Sequence, residues 1–188
     1  YLSPHLYDVE PWKLHTVDFF SPFIPDIRTA LQEKSLRTIP PIAGVIDYDV
    51  ENTLQGNWFQ IEAKDYEASG IPPKPERYWE YQVAFAYDYI RADQLRISIG
   101  FDTGIPDDAC RVCFGAFALK NNSPKHTDIG PEDGLVKLEL VHLEDNSLTL
   151  GTLLVQHHGS RVIELEVFPN RHPSQIDKFG NGSRRYTR

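Results

Sequence analysis

Two pairs of carboxylates stand two residues apart in β-like sequence, Asp47/Asp49 and Glu164/Glu166, and that spacing puts each pair on one face of a strand. Facing an enclosed space, such a pair would have raised pKa values and could act as general acid and base, with Arg96 or Lys137 as a balancing cation. Facing solvent, the same pairs would be solvated charges that guard a strand against edge pairing. Val162, Ile163, Leu165 and Val167 offer an apolar row opposite Glu164 and Glu166, which favours the outward reading there. The seven histidines are His5, His15, His126, His142, His157, His158 and His172. His157 and His158 are adjacent and therefore point to opposite faces. A shared metal would need ligands from different strands, for instance His142 with His157, since neighbouring strands lie about 5 Å apart. Surface or hydrogen-bonded histidines are the expectation, and no metal site is assigned.

Asp102-Thr103-Gly104 follows an apolar run and matches the Asp-Thr-Gly of aspartic proteases, where two such aspartates share one proton. One copy is present, so catalysis would require a homodimer, and Asp107-Asp108 downstream suits an acidic turn. Cys110 and Cys113 lie three apart in a β-like run and should face opposite sides, as buried thiols rather than a redox pair, which needs a helix N-terminus. Gly-x-Ser-x-Gly, phosphate-cradling loops and dinucleotide fingerprints are all lacking, and no cofactor is expected.

The elements that must position these groups are strands. From Gly44 onward, alternating or apolar runs span Val45 to Val50, Trp58 to Ala63, Tyr78 to Ile90, Gln94 to Phe101, Ala109 to Leu119, Leu135 to Leu143, Leu148 to His157 and Arg161 to Phe168. Arg184 to Thr187 offers a short ninth. Turn chemistry separates them, as at Glu144-Asp145-Asn146 and His158-Gly159-Ser160. The absence of any long helical run after Gly44 opposes a parallel α/β sheet. The expectation is an all-β, antiparallel, eight-stranded up-and-down barrel over residues 44–188. Residues 1–43 read as an ordered, proline-punctuated and aromatic arm, with one short helix from Pro25 to Lys34 that could close a barrel end. In Tyr78 to Ile90 the odd positions, Trp79, Tyr81, Val83, Phe85, Tyr87 and Tyr89, are bulky. The even ones, among them Gln82, Ala84, Ala86 and Asp88, are small or polar, and period two leaves open which face is the lumen.

Leu54-Gln55-Gly56-Asn57-Trp58-Phe59 resembles the Gly-x-Trp-aromatic motif that opens the first barrel strand of lipocalins and related calycin barrels. That resemblance implies that Trp58 plugs the closed end of the barrel and that an arginine near the last strand, here Arg184 or Arg185, stacks on it. Gly44 to Val50 reads as an additional strand ahead of the motif. Gly44 to Val50, Gly56 to Phe59, Arg96 to Gly100, Gly134 to Val141 and Glu166 to Pro169 also resemble segments of uncharacterised bacterial proteins, some joined to lysostaphin-like metallopeptidase domains. This second likeness implies a secreted or extracytoplasmic accessory domain. The His-x-His zinc signature of such peptidases is absent, so no protease activity carries over.

A chain of 188 residues, 40% hydrophobic, suits one domain with an arm. Its 27 acidic and 19 basic residues give a net charge of −8, which opposes a nucleic-acid or anionic-membrane surface. No run is long and apolar enough for a spanning helix. With no methionine in the chain, Tyr1 is expected to follow processing or trimming. The leading expectation is a barrel that binds a small apolar or amphipathic ligand in its interior, with Trp58, Trp79, Tyr81, Phe85 and Tyr87 as wall or plug residues. The competing classes are an isomerase, cyclase or hydratase using the same cavity, and a non-catalytic accessory module of a cell-wall protein. The sequence leaves the oligomeric state open.

Overall fold

The computed structural model describes residues 1–7, 11–44, 49–61, 81–100 and 115–188. Its strands are β1 (Gly56–Gln60), β2 (Gln82–Tyr87), β3 (Leu95–Ile99), β4 (Gly115–Leu119), β5 (Leu135–Val141), β6 (Thr149–His157), β7 (Val162–Pro169) and β8 (Arg184–Thr187). Each pairs antiparallel with the next, and β1 pairs with β8, so that one eight-stranded sheet closes into a ring. The most extended pairings among the described residues are β5–β6, registered from Leu135↔Gln156 to Val141↔Thr149, and β6–β7, from Gly151↔Pro169 to His157↔Ile163.

Among the described residues the ring starts at β1, and of the run expected ahead of it only the last two residues are described. Asp49 and Val50 are not in a strand, and residues 45–48 lie outside the described residues. Local hydrogen bonding explains the difference. The Val50 N–H donates to the Gln55 carbonyl and the Thr53 N–H to the Val50 carbonyl, which folds this stretch into a tight reversal leading into β1. The short run Arg184–Thr187, expected as a ninth strand, takes the closing place. At the far end of β2 the strand stops at Asp88, whose carboxylate accepts the N–H groups of Ile90 and Arg91 at 2.9 and 2.7 Å, a local turn that competes with the ladder.

The two faces of β2 are also resolved. Val83 and Phe85 are buried in the ring's interior, whereas Gln82, Ala84 and Ala86 lie on its outer side. Residues directly opposite share a face, so Trp58 joins Val83, and Ile97 joins both Phe85 and Phe117. The interior is a single apolar cluster that also takes in Leu138, Leu140, Leu153, Val155, Ile163, Leu165 and Tyr186.

In the arm, a 3-10 turn at Pro4–Tyr7 lays Leu6 and Tyr7 over Phe59 on the outside of β1, with Tyr1 and Leu14 against them. The Tyr7 and Phe59 rings meet edge to face at 5.6 Å. The helix α1 (Pro25–Gln32) begins with Pro at its first position and Asp26 in its first turn. It buries none of its residues, so it does not close the ring.

Candidate functional site

One end of the ring is closed by residues 49–55 and by the C-terminus. Leu54, fully buried, donates its N–H to the carbonyls of His126 and Ile129 at 3.1 and 3.0 Å. Its own carbonyl accepts the Trp58 indole N–H at 2.7 Å. Over the indole lies the Arg188 guanidinium, 4.1 Å from the ring centroid. Arg188 donates to the carbonyls of Gln55, Val50 and Thr53, which binds the reversal to the C-terminus. His157 meets the indole edge to face at 5.7 Å, and its Nδ1 accepts the Gly159 N–H.

The stacking arginine is therefore Arg188 and not Arg184 or Arg185, and register is the reason. Gln60 sits opposite Tyr186, which puts Trp58 level with Arg188 on the inward face. Arg184 faces the same way but stands opposite Leu165, further along the ring, and Arg185 points outward beside Glu164. Burial lowers the Arg188 pKa to about 10, opposed by the carboxylates of Asp49 and Glu51 and assisted by Arg161, so the plug is cationic at neutral pH.

His126 was one histidine among seven in the sequence and gave no signal there. In the fold it is fully buried, edge to face with Phe85 at 5.2 Å and tilted against Tyr87 at 6.5 Å. Neither ring nitrogen has a hydrogen-bond partner among the described residues, and burial lowers its pKa to about 3. Burial lowers the pKa of His157 too, helped by Arg188 and His158. His142 and His157 do not come together. His142 is exposed in the turn after β5, where its Nδ1 accepts the Glu144 N–H, and His157 ends β6 at the other end of that hairpin. No group of three or more potential metal ligands forms among the described residues.

The carboxylates proposed as acids and bases hold the structure together. Asp49 accepts the N–H groups of Leu2 and Asn57, both at 2.9 Å, tying the arm to the start of β1. Glu164 and Glu166 lie on the outer face. Glu164 is 3.2 Å from His158 Nε2 and 3.6 Å from Arg185 Nε. Glu166 is buried beneath the loop before β8 and accepts the N–H groups of Gly180 and Gly182 at 2.5 and 3.1 Å. The candidate balancing cations are taken elsewhere, Arg96 by Asp88 at 2.6 Å and Lys137 by Asp177 at 3.2 Å. Asp47, Trp79, Asp102-Thr103-Gly104, Cys110 and Cys113 lie outside the described residues.

Among the described residues, two recesses on the wall of the ring stand out. One, of about 320 Å³, runs over the outward row Asn57, Ala84, Ser98 and Ala116, the small even face of β2 and its neighbours. The other, of about 610 Å³, lies at the β1–β8 seam and is lined by Gln60, Ile61, Glu164, Ser183, Arg184 and Arg185. Among the described residues, Phe59 and Gln60 pair with β8, followed by one bond from the Ile61 N–H to the Arg185 carbonyl at 2.9 Å. Of the expected ligand-binding residues, Trp58 and Phe85 are in the core, Tyr87 packs against it, and Tyr81 is half-buried just before β2. None of these four lines either recess. In the sequence Arg184 and Arg185 stand out as an adjacent basic pair, of which the resemblance implies that one or the other stacks on Trp58. Comparison with protein families, with curated proteins and with solved structures returned no match.

Proposed function

We propose that this chain is a non-catalytic, calycin-like binding domain that takes a small amphipathic ligand, and that the ligand sits in the β1–β8 seam and not on the ring's central axis. The observation that carries this reading is the contrast between the two regions. Around Trp58 the indole N–H and both terminal nitrogens of Arg188 are engaged and the interior is filled by apolar side chains, whereas the seam holds a recess of about 610 Å³ that combines Ile61 with the polar groups of Gln60, Ser183, Arg184 and Arg185. That volume is in the ordinary range for small-molecule sites, and a mixed lining fits a molecule with an apolar body and a polar end. Binding is favoured over catalysis because Asp49, Glu164 and Glu166 are each bonded within the fold. A secreted or extracytoplasmic setting accompanies this reading through the sequence resemblance alone.

A second reading, the accessory module without a ligand, is favoured by the interior, which one apolar cluster occupies from Leu54 to Tyr186. Ligand-observed NMR with a panel of amphipathic small molecules separates the two. Saturable binding that is lost when Ile61→Asp and Gln60→Ala alter the seam supports the binding domain. Failure of every amphipath to bind the folded protein at millimolar concentration overturns it in favour of the accessory module.

A further inference from the structure

The seam's chemistry specifies its ligand more narrowly, on the premise that the seam is the binding site. We propose that it takes a small organic carboxylate on an apolar tail, with a hydroxyl or N–H donor next to the carboxylate. Two guanidinium groups and one carboxylate line the recess, a local excess of positive charge in a chain of net charge −8. Arg184 is partly buried and among the described residues makes one bond, from Nη1 to the Ser183 carbonyl at 2.9 Å, although a guanidinium carries five N–H donors in a planar fork. Arg185 is 63% exposed and stands 3.6 Å from Glu164 through Nε, a loose ion pair that leaves its terminal nitrogens to face an incoming anion. Glu164 is held on its other side by His158 at 3.2 Å, which offsets its repulsion of that anion. One planar guanidinium with unused donors, as at Arg184, suits the bidentate geometry of a carboxylate, and Arg185 at the rim of the recess adds positive charge.

The donor requirement comes from Gln60. This side chain is 5% exposed and lines the recess, and its Oε1 is buried without a hydrogen-bond partner among the described residues. A buried acceptor left unpaired is unfavourable, and rotation of the Gln60 side chain towards the recess would let a ligand hydroxyl or N–H satisfy it. Ile61, 47% exposed at the same recess, supplies the apolar contact for the tail. A 2-hydroxy fatty acid and an N-acyl amino acid both carry this combination.

The test measures binding of 2-hydroxyoctanoate, octanoate and 1-octanol to the intact chain by isothermal titration calorimetry or ligand-observed NMR at low ionic strength. The expected order is 2-hydroxyoctanoate, then octanoate, then octanol. Replacing both arginines, Arg184→Gln with Arg185→Gln, should weaken the two acids by ~10–100-fold and leave octanol within about threefold. Gln60→Leu should remove the advantage of the hydroxy acid over octanoate. Because the comparison of octanoate with octanol uses the unaltered protein, it stands even if a variant fails to fold. Octanol binding as tightly as octanoate would overturn the carboxylate proposal while leaving the seam as a binding site. Failure of all three to bind would overturn both.

Discussion

The Arg188 guanidinium covers the face of the Trp58 indole at 4.1 Å, and the same guanidinium donates to three carbonyls of the 50–55 reversal. One side chain thus closes an aromatic plug and anchors the chain's last residue, at 4% exposure. Arg188→Ala should destabilise the fold by about 2–4 kcal/mol, because it uncovers the indole and leaves buried carbonyls unpaired. Trp58→Ala should lose about 3–5 kcal/mol by opening a large cavity. Urea denaturation of the two variants measures both, and a loss under about 1 kcal/mol in either would remove that residue from the plug.

The glycine of Gly-x-Trp is explained by the same corner. Gly56 has a φ of +135°, and a Cβ there would press on Asp49 and come within 2.5 Å of Arg188 Nη1. Gly56→Ala should therefore lower stability by about 2–4 kcal/mol, from an unfavourable backbone conformation and from overpacking together. Gly134, at φ +63° and ψ −136° with nothing within 4 Å of a built Cβ, is the control, and Gly134→Ala should carry the backbone cost without the crowding, about 1–3 kcal/mol and less than Gly56→Ala. Thermal melts of the two variants decide the matter. Equal shifts in Tm would show that crowding at Gly56 contributes nothing.

His126 makes the fold acid-sensitive. Its folded pKa of about 3 lies below the ordinary histidine value of 6.5, so the unfolded chain takes up the proton first. The sign follows: stability is unaffected above the unfolded pKa and falls as pH drops from about 6.5 towards 3. The loss approaches about 1.4 kcal/mol per pH unit and totals up to about 5 kcal/mol. His126→Leu removes both unpartnered nitrogens and keeps an apolar side chain of similar size. The variant should be more stable than the parent by about 1–2 kcal/mol at pH 7 and should lose less between pH 6.5 and 4. Denaturation curves at pH 7 and 4.5 test this. The same pH slope in parent and variant would show that the buried imidazole does not control acid stability.

Local patterning carried most of the strand content. The hairpin β5–β6 and strand β7 fall where alternation placed them, because side-chain period and turn residues such as Asp145 and Gly159 act within a few positions. The reversal at 50–55 escaped that reading. Val50 is β-branched and follows an alternating run, yet its backbone bonds to Gln55 and Thr53, a preference that alternation does not record. The short β8 was legible as a segment but not as the strand that closes the ring, since Tyr186 finds Gln60 across more than a hundred residues of chain.

The site divides in the same way. Sequence alone determined that Gly56 and Trp58 open a strand, that Glu164 and Glu166 share a face, and that β2 has one bulky and one small face, because each statement depends on spacing along a single strand. Tertiary structure alone decided that the bulky face turns inward, that Arg188 and not Arg184 covers Trp58, that His126 enters the core unpartnered, and that Gln60 meets Arg184 and Arg185 at the seam. Those outcomes follow from long-range register and ring closure. A shift of one residue between β1 and β8 would send every one of their side chains to the opposite face without altering either strand's local pattern.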